Sequence, residues 1–228
     1  MSKTNKKYHI FEINVAKLNI ICVIFFFLMI VITTFLYKGN LSQEFYEVNL
    51  MLLLLVYLIM TLVHELLHSL AYKIYGGDFK KIVYGAYIEK GVLYCLCKQN
   101  ISRKNILNAL MFPLFYIGII PYIVALIFNL PFLLFIAIVN IVGSIGDIMM
   151  FAYIVSLDKD IEFTEFDNPM RFAIYTDKKL KNLKPLGLDY IETLTSVPRK
   201  DLKKVTISKG SYIALAIIII LTILSITI

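Results

Sequence analysis

The sequence predicts an all-α polytopic membrane protein of about five transmembrane helices, with a β-hairpin between the second and third and a small cytoplasmic segment before the last. Three observations carry that expectation. Hydrophobic residues make up 59% of the 228-residue chain and its mean hydropathy is +0.78, beyond what soluble domains reach. The apolar residues gather in runs of about 20, the length a helix needs to cross about 30 Å of hydrocarbon. The 23 Lys and Arg residues lie in the segments that flank those runs, the placement that sets membrane orientation.

Residues 1–48 comprise an N-terminal tail with Lys3, Lys6, Lys7 and Lys17, a first span from Leu18 to Tyr37 and an outer loop. ITTFLYKG offers no convincing small-residue cleavage site, so the run reads as a retained helix rather than a secretory signal. His9, in the tail, reads as a solvated residue. A second span from about Asn49 to Tyr72 ends at Gly76-Gly77. Residues 79–98 lose the helical period and place β-branched and aromatic residues on both sides of Glu89-Lys90-Gly91, the pattern of a hairpin.

A third span, Ile106 to Phe128, is interrupted by Pro113, Gly118 and Pro121, and the short Asn129-Leu130-Pro131 turn makes it an antiparallel neighbour of a fourth span, Phe132 to about Leu157. Together, residues 49–157 form the expected catalytic membrane core. Residues 158–210 are polar, acidic first and then basic, with enough aromatic residues for a small folded or membrane-surface piece and no chemical motif. Residues 211–228 read as a C-terminal span.

Charge and cysteine content exclude other classes. The net charge of +7 comes from dispersed span-flanking residues and not from a nucleic-acid-binding patch. Three cysteines make no disulfide framework, and Cys95 and Cys97, sharing one face of a strand, read as packing thiols, a lone CxC pair being short of a metal site. Of the 23 basic residues, 22 fall on one side of the membrane when the spans are counted, which puts the N-terminus in the cytoplasm and the C-terminus outside.

Within the second span lies His64-Glu65-Leu66-Leu67-His68. Two His four residues apart on a helix can reach one metal ion, and an intervening Glu can act as general base, the HExxH pattern of zinc hydrolases. Of 16 acidic residues, Glu65 and Asp147 alone fall inside the spans as drawn. An ionisable group at the bilayer centre costs about 2.5–3.5 kcal/mol on insertion scales, so such groups mark functional sites. Spans two and four run in the same direction and carry these residues at similar depth, in the cytoplasmic half.

The expectation is therefore a Zn²⁺ site with His64, His68 and Asp147 as ligands and an open position for water, which Glu65 deprotonates. Asn140, two turns from Asp147 on its face, is a candidate catalytic residue for holding the substrate backbone or an oxyanion. Glu89 is the competing third ligand, should the hairpin fold back. Gly143 and Gly146 would allow close helix approach or local unwinding near Asp147.

These residues resemble a known group. HELLH in one membrane helix followed by an Asn and an Asp on a later one is similar to the site-2 proteases, intramembrane zinc metalloproteases, and more closely to the small bacterial zincin-peptidase membrane family. The later motif of site-2 proteases reads approximately NxxPxxxxDG. Asn140, Gly143 and Asp147 take the places of its Asn, Pro and Asp, with one residue less in the spacing and Ile148 in place of the Gly. The resemblance covers residues 50–157. It implies three core helices around zinc, a cytoplasm-facing site in a bacterial cell membrane, and a β-structured element that pairs with substrate, for which 79–98 is the candidate.

The leading expectation is a metalloendopeptidase acting on a membrane protein or membrane-associated peptide, with the lipid bilayer as its medium, no nucleic-acid partner, and a homo-oligomer left open. Two alternatives come from other classes: a non-catalytic metal-binding accessory or immunity protein, and an ion-coupled transporter, against which the lack of an inverted repeat speaks.

Overall fold

The structure is a computed structural model and describes residues 6–39, 50–87, 92–165, 170–178, 180 and 187–196. A strand, β1 (Lys7–Ile13), comes first. The Asn14 side chain then accepts the Lys17 N–H and caps α1 (Val15–Leu36), an N-cap in the usual sense. Helix α1 is apolar on all sides and leaves Phe27, Val31 and Phe35 exposed, as a lipid-facing helix does. Its Thr33 donates to the Met29 carbonyl and meets the Tyr122 hydroxyl, so no polar group faces hydrocarbon unpaired there.

Helix α2 (Leu50–Ile74) carries HELLH in its second half. It ends where Gly76 takes a left-handed φ of 93° and the Gly77 N–H bonds back to the Tyr72 carbonyl at 2.6 Å, a C-terminal cap that favours glycine. A short 3₁₀ turn, Phe79–Lys81, leads into β2 (Ile82–Tyr87) and β3 (Val92–Cys97). These two pair antiparallel, Ile82 opposite Cys97 and Tyr84 opposite Cys95, so the alternation in 79–98 does form a hairpin. Its turn, with Glu89, lies outside the described residues.

After β4 (Ile101–Ser102) the chain runs as one apolar helical rod from Arg103 to Phe128. The rod comprises α3 (Arg103–Pro113), a π-helical stretch Leu114–Ile119, and α4 (Ile120–Phe128). Pro113 and Pro121 lack N–H donors, and the ladder re-forms with the wider Ile120 N–H to Phe115 carbonyl bond. Gly118 has its own reason: a Cβ there would sit 3.0 Å from Ile141 of the next helix. Asn129 turns the chain with a φ of 53° into α5 (Pro131–Gly143), which bends by 47° at Ser144 into α6 (Ile145–Val155).

The rest is β. Strands β5 (Glu162–Glu165), β6 (Arg171–Thr176) and β7 (Leu188–Leu194) join β1 and β4 in a five-stranded antiparallel sheet, order β4-β5-β6-β1-β7. The all-α expectation is therefore wrong: the described residues hold seven strands in two sheets. Three helices are long and apolar enough to cross a membrane, or four if the bent α5–α6 pair counts as one span. The expected fifth, at 211–228, lies outside the described residues. The error has a physical source. Tyr8 pairs with Tyr175 and Leu194, and contacts between such distant segments leave no local period in either.

One face of the sheet packs under the helices. Phe11 stacks on Phe172 at 5.5 Å and meets the Tyr153 ring of α6 edge-on at 5.0 Å. Both belong to one buried cluster with Ala71, Tyr72, Ala109 and Cys97. Arg103 fastens the sheet to α6 by donating to the carbonyls of Ile154 and Val155 at that helix's C-terminal end. The sheet and hairpin thereby lie beside the last turns of α2.

Candidate metal centre

Three side-chain atoms converge between α2 and α6. His64 Nε2 lies 3.2 Å and His68 Nε2 3.4 Å from Asp147 Oδ2, and the two nitrogens are 3.1 Å apart. The i, i+4 spacing brings the imidazoles to one face of α2. Asp147 arrives by a less regular route. Ser144 breaks the helix, its N–H and hydroxyl both donating to the Asn140 carbonyl at 3.0 and 2.9 Å. Asp147 then falls in the first turn of α6, where the helix dipole favours a carboxylate. The break lies between Gly143 and Gly146, where an added Cβ would meet nothing within 4 Å at the first and Leu18 at 3.9 Å at the second. Those glycines keep space open beside the cluster rather than admit a tightly packed helix.

The orientation of His68 is fixed from behind. Its Nδ1 lies 3.1 Å from the Ala109 carbonyl of α3, and only an N–H faces a carbonyl favourably, so Nε2 is the bare nitrogen turned toward the cluster. Ala71 and Ala109, both fully buried, let α2 and α3 approach closely enough for that bond.

A cavity of about 210 Å³ opens on the cluster, lined by His64, Glu65, His68 and Asp147, by Tyr94 and Cys95 of β3, and by Leu18 and Cys22 of α1. Glu65 and Cys95 face each other across this cavity as parts of its lining. Lys98 N–H bonds to Lys81 across the hairpin, so by strand alternation the Cys95 and Cys97 N–H groups point away from β2, toward the cavity side. The Cys97 N–H donates to Glu165 Oε2 at 2.8 Å.

Asn140 is not part of this arrangement. Its amide donates to the Ile136 carbonyl one turn back and its side chain lines a separate, far smaller hollow with Leu53, Tyr57 and Met60. Counting two turns along an unbroken helix placed it beside Asp147; the bend at Ser144 removes that relation. His9 lies in β1, part-exposed, its Nδ1 3.4 Å from the Thr193 hydroxyl. Cys95 and Cys97 are buried, and burial pushes the Cys97 thiol up to about 12 and raises Cys95 as well, which keeps both protonated as packing thiols.

Two residues of the cavity escaped the sequence reading. Tyr72 continues the His64–His68 stripe by one more turn, with its ring stacked 6.5 Å from His68, and an i+8 aromatic was a legible sign. Its hydroxyl donates to Glu165 Oε2 at 3.1 Å. Glu165 itself gave no sign, being one carboxylate among several in a polar segment, and burial pushes it up to about 7.

The donor set fits zinc. Bonds of about 2.0–2.1 Å in a tetrahedron give ligand–ligand edges of about 3.3 Å, against the 3.1, 3.2 and 3.4 Å found here. Two imidazole nitrogens and a carboxylate oxygen this close are all electron-rich. A proton relieves one such contact, whereas a divalent cation relieves all three. No curated protein and no solved structure matches the chain. Residues 57–161, which run from mid-α2 to the threshold of β5 and carry His64, Glu65, His68 and Asp147, match the family model described as "Putative zincin peptidase", so the part of the chain that builds this centre is similar to a family of zincin-type peptidases.

Proposed function

We propose that the chain is a zinc-dependent integral membrane endopeptidase that hydrolyses peptide bonds within or near the membrane, in the manner of the site-2 proteases its motifs resemble. One observation carries this reading: two imidazole nitrogens and one carboxylate oxygen at ligand–ligand spacing, with Glu65 in the same cavity. A site that merely held metal would need no further carboxylate beside its ligands.

When bound, zinc supplies a water acidified to a pKa of about 7 and polarises the scissile carbonyl. His64 and His68 hold it through Nε2, and the Ala109 carbonyl keeps His68 in the tautomer that can do so. Asp147 supplies the third ligand atom and offsets charge. Glu65, in the wall of the same cavity, takes the proton of the attacking water and delivers it to the leaving amine. The wall of the cavity along Leu93 to Leu96 is strand β3, and an extended substrate backbone can be held by main-chain bonds along such a strand.

The sheet supports the orientation. Strands from before α1, from between α2 and α3, and from after α6 lie in one sheet, which requires an even number of crossings between them. That is met if α1, α2, the Arg103–Phe128 rod and the bent α5–α6 pair cross once each. All three segments are the basic-rich ones, which supports a cytoplasmic position for this side.

Glu65→Gln tests the mechanism. The purified variant in detergent is expected to bind zinc as wild type does and to lose cleavage of a membrane-protein substrate by about 10²–10⁴-fold. Unchanged cleavage would discard Glu65 as the base.

A further inference from the structure

The cavity holds a carboxylate that the proposed reaction does not use. Glu165 sits on β5, outside the matched stretch, and more than nine-tenths of it is buried. Both of its hydrogen bonds, from Tyr72 and from the Cys97 N–H, fall on Oε2. Its other oxygen, Oε1, has no bond among the described residues, and Glu165 lines the same cavity as the metal cluster. Among the described residues, no lysine or arginine lines that cavity. Zinc held by Asp147 beside Glu65 would make a neutral set, which leaves Glu165 without a countercharge among the described residues that line the cavity.

Its position along β3 gives a register. The Cys95 and Cys97 N–H groups point to the same side of β3, where Cys97 donates to Glu165 and Cys95 lines the cavity with Glu65. Two residues of strand span about 6.5–7 Å, so an extended substrate lying along β3 would meet Glu165 within one or two residues of the part of the strand beside Glu65.

Resting on the peptidase reading above, we propose that Glu165 is a specificity residue: its free oxygen receives a cationic group, an ammonium or guanidinium, carried by the substrate within two residues of the bond that is cut. Pairing with such a group offsets the cost of ionising a buried carboxylate. Norleucine at the same place would fill the space and leave the carboxylate unpaired.

The test uses full-length, zinc-loaded protein with Glu65→Gln, so that peptides bind without turnover. Fluorescently labelled peptides would carry lysine, norleucine or glutamate at each position in turn, with the N-terminus free or acetylated, and binding would be read by anisotropy. Lysine is expected to bind at least tenfold tighter than norleucine at one position, with the advantage falling below twofold in Glu65→Gln/Glu165→Gln. If the preference instead follows the free N-terminus, the cation is an α-amino group and the site trims chain ends. Zinc content of the double variant reports that its helices are intact. A lysine or amino-terminal preference unchanged by Glu165→Gln, or no such preference in either background, overturns the proposal. Failure of wild type to cleave any of the peptides counts against the peptidase reading and leaves the binding comparison to decide Glu165.

Discussion

The candidate metal centre draws two of its side chains from residues four apart on α2 and the third from the first turn of α6, while the sheet beside it takes neighbouring strands from opposite ends of the chain, Tyr8 lying between Tyr175 and Leu194. The two regions share one buried cluster, in which Tyr72 of α2 and Phe11 of β1 both take part. They differ in what holds them. The centre depends on a few polar atoms whose exposure to lipid would cost several kcal/mol each. The sheet depends on stacked aromatic side chains and ladder bonds, which supply packing and no ligand atom. Chemistry should therefore be lost by single substitutions in the first, and stability in the second.

The largest expected effect comes from His68→Ala, which removes a ligand and its bond to the Ala109 carbonyl. Zinc content measured on the purified protein should drop to background and cleavage with it, with the far-ultraviolet circular dichroism unchanged. Phe11→Ala should do the reverse. Phe11 is fully buried against Phe172 and Tyr153, so its truncation should cost about 3–5 kcal/mol in denaturant unfolding while zinc content stays at the wild-type value. Loss of zinc in Phe11→Ala would show that the two regions cannot be separated.

Glu165 joins the regions, and its effect should depend on pH. Its burial raises the folded-state pKa from 4.5 to about 7. A raised carboxyl means the folded protein binds the proton more tightly than the unfolded chain, so stability is fullest at low pH and falls as pH rises from about 4.5 through 7. Tyr72, the Cys97 N–H, His68 and Asp147 face it. The loss should approach about 3 kcal/mol at most, and should be absent from Glu165→Gln when melting of both proteins is followed across that range. Smallest of all, Arg171→Ala should cost about 0.2–1 kcal/mol, since its ion pair with Glu12 at 2.7 Å is part-exposed.

The same contrast decides what could be read from the sequence. Helix periods and intramembrane charges are local signals, so α1, α2, the Arg103–Phe128 rod and the His64, Glu65, His68 and Asp147 set were all legible. The hairpin was legible too, because β2 and β3 are adjacent and bracket a turn. β1 was not: seven residues, KYHIFEI, bury side chains on both faces of a sheet in which their paired strands, β6 and β7, lie more than 150 residues on. Asn140 was misplaced because helical counting assumes an unbroken axis, and Ser144 breaks it by 47°. Glu165 was invisible because its partners, the Tyr72 hydroxyl and a backbone N–H, are 93 and 68 residues away.

Metal analysis of the purified full-length protein, beside its Asp147→Ala and Glu65→Gln variants, bears most directly on the two-helix centre. One zinc per chain is expected in wild type and in Glu65→Gln, and none above background in Asp147→Ala. Wild-type protein without stoichiometric metal would contradict the centre altogether, and full occupancy in Asp147→Ala would move its third ligand elsewhere.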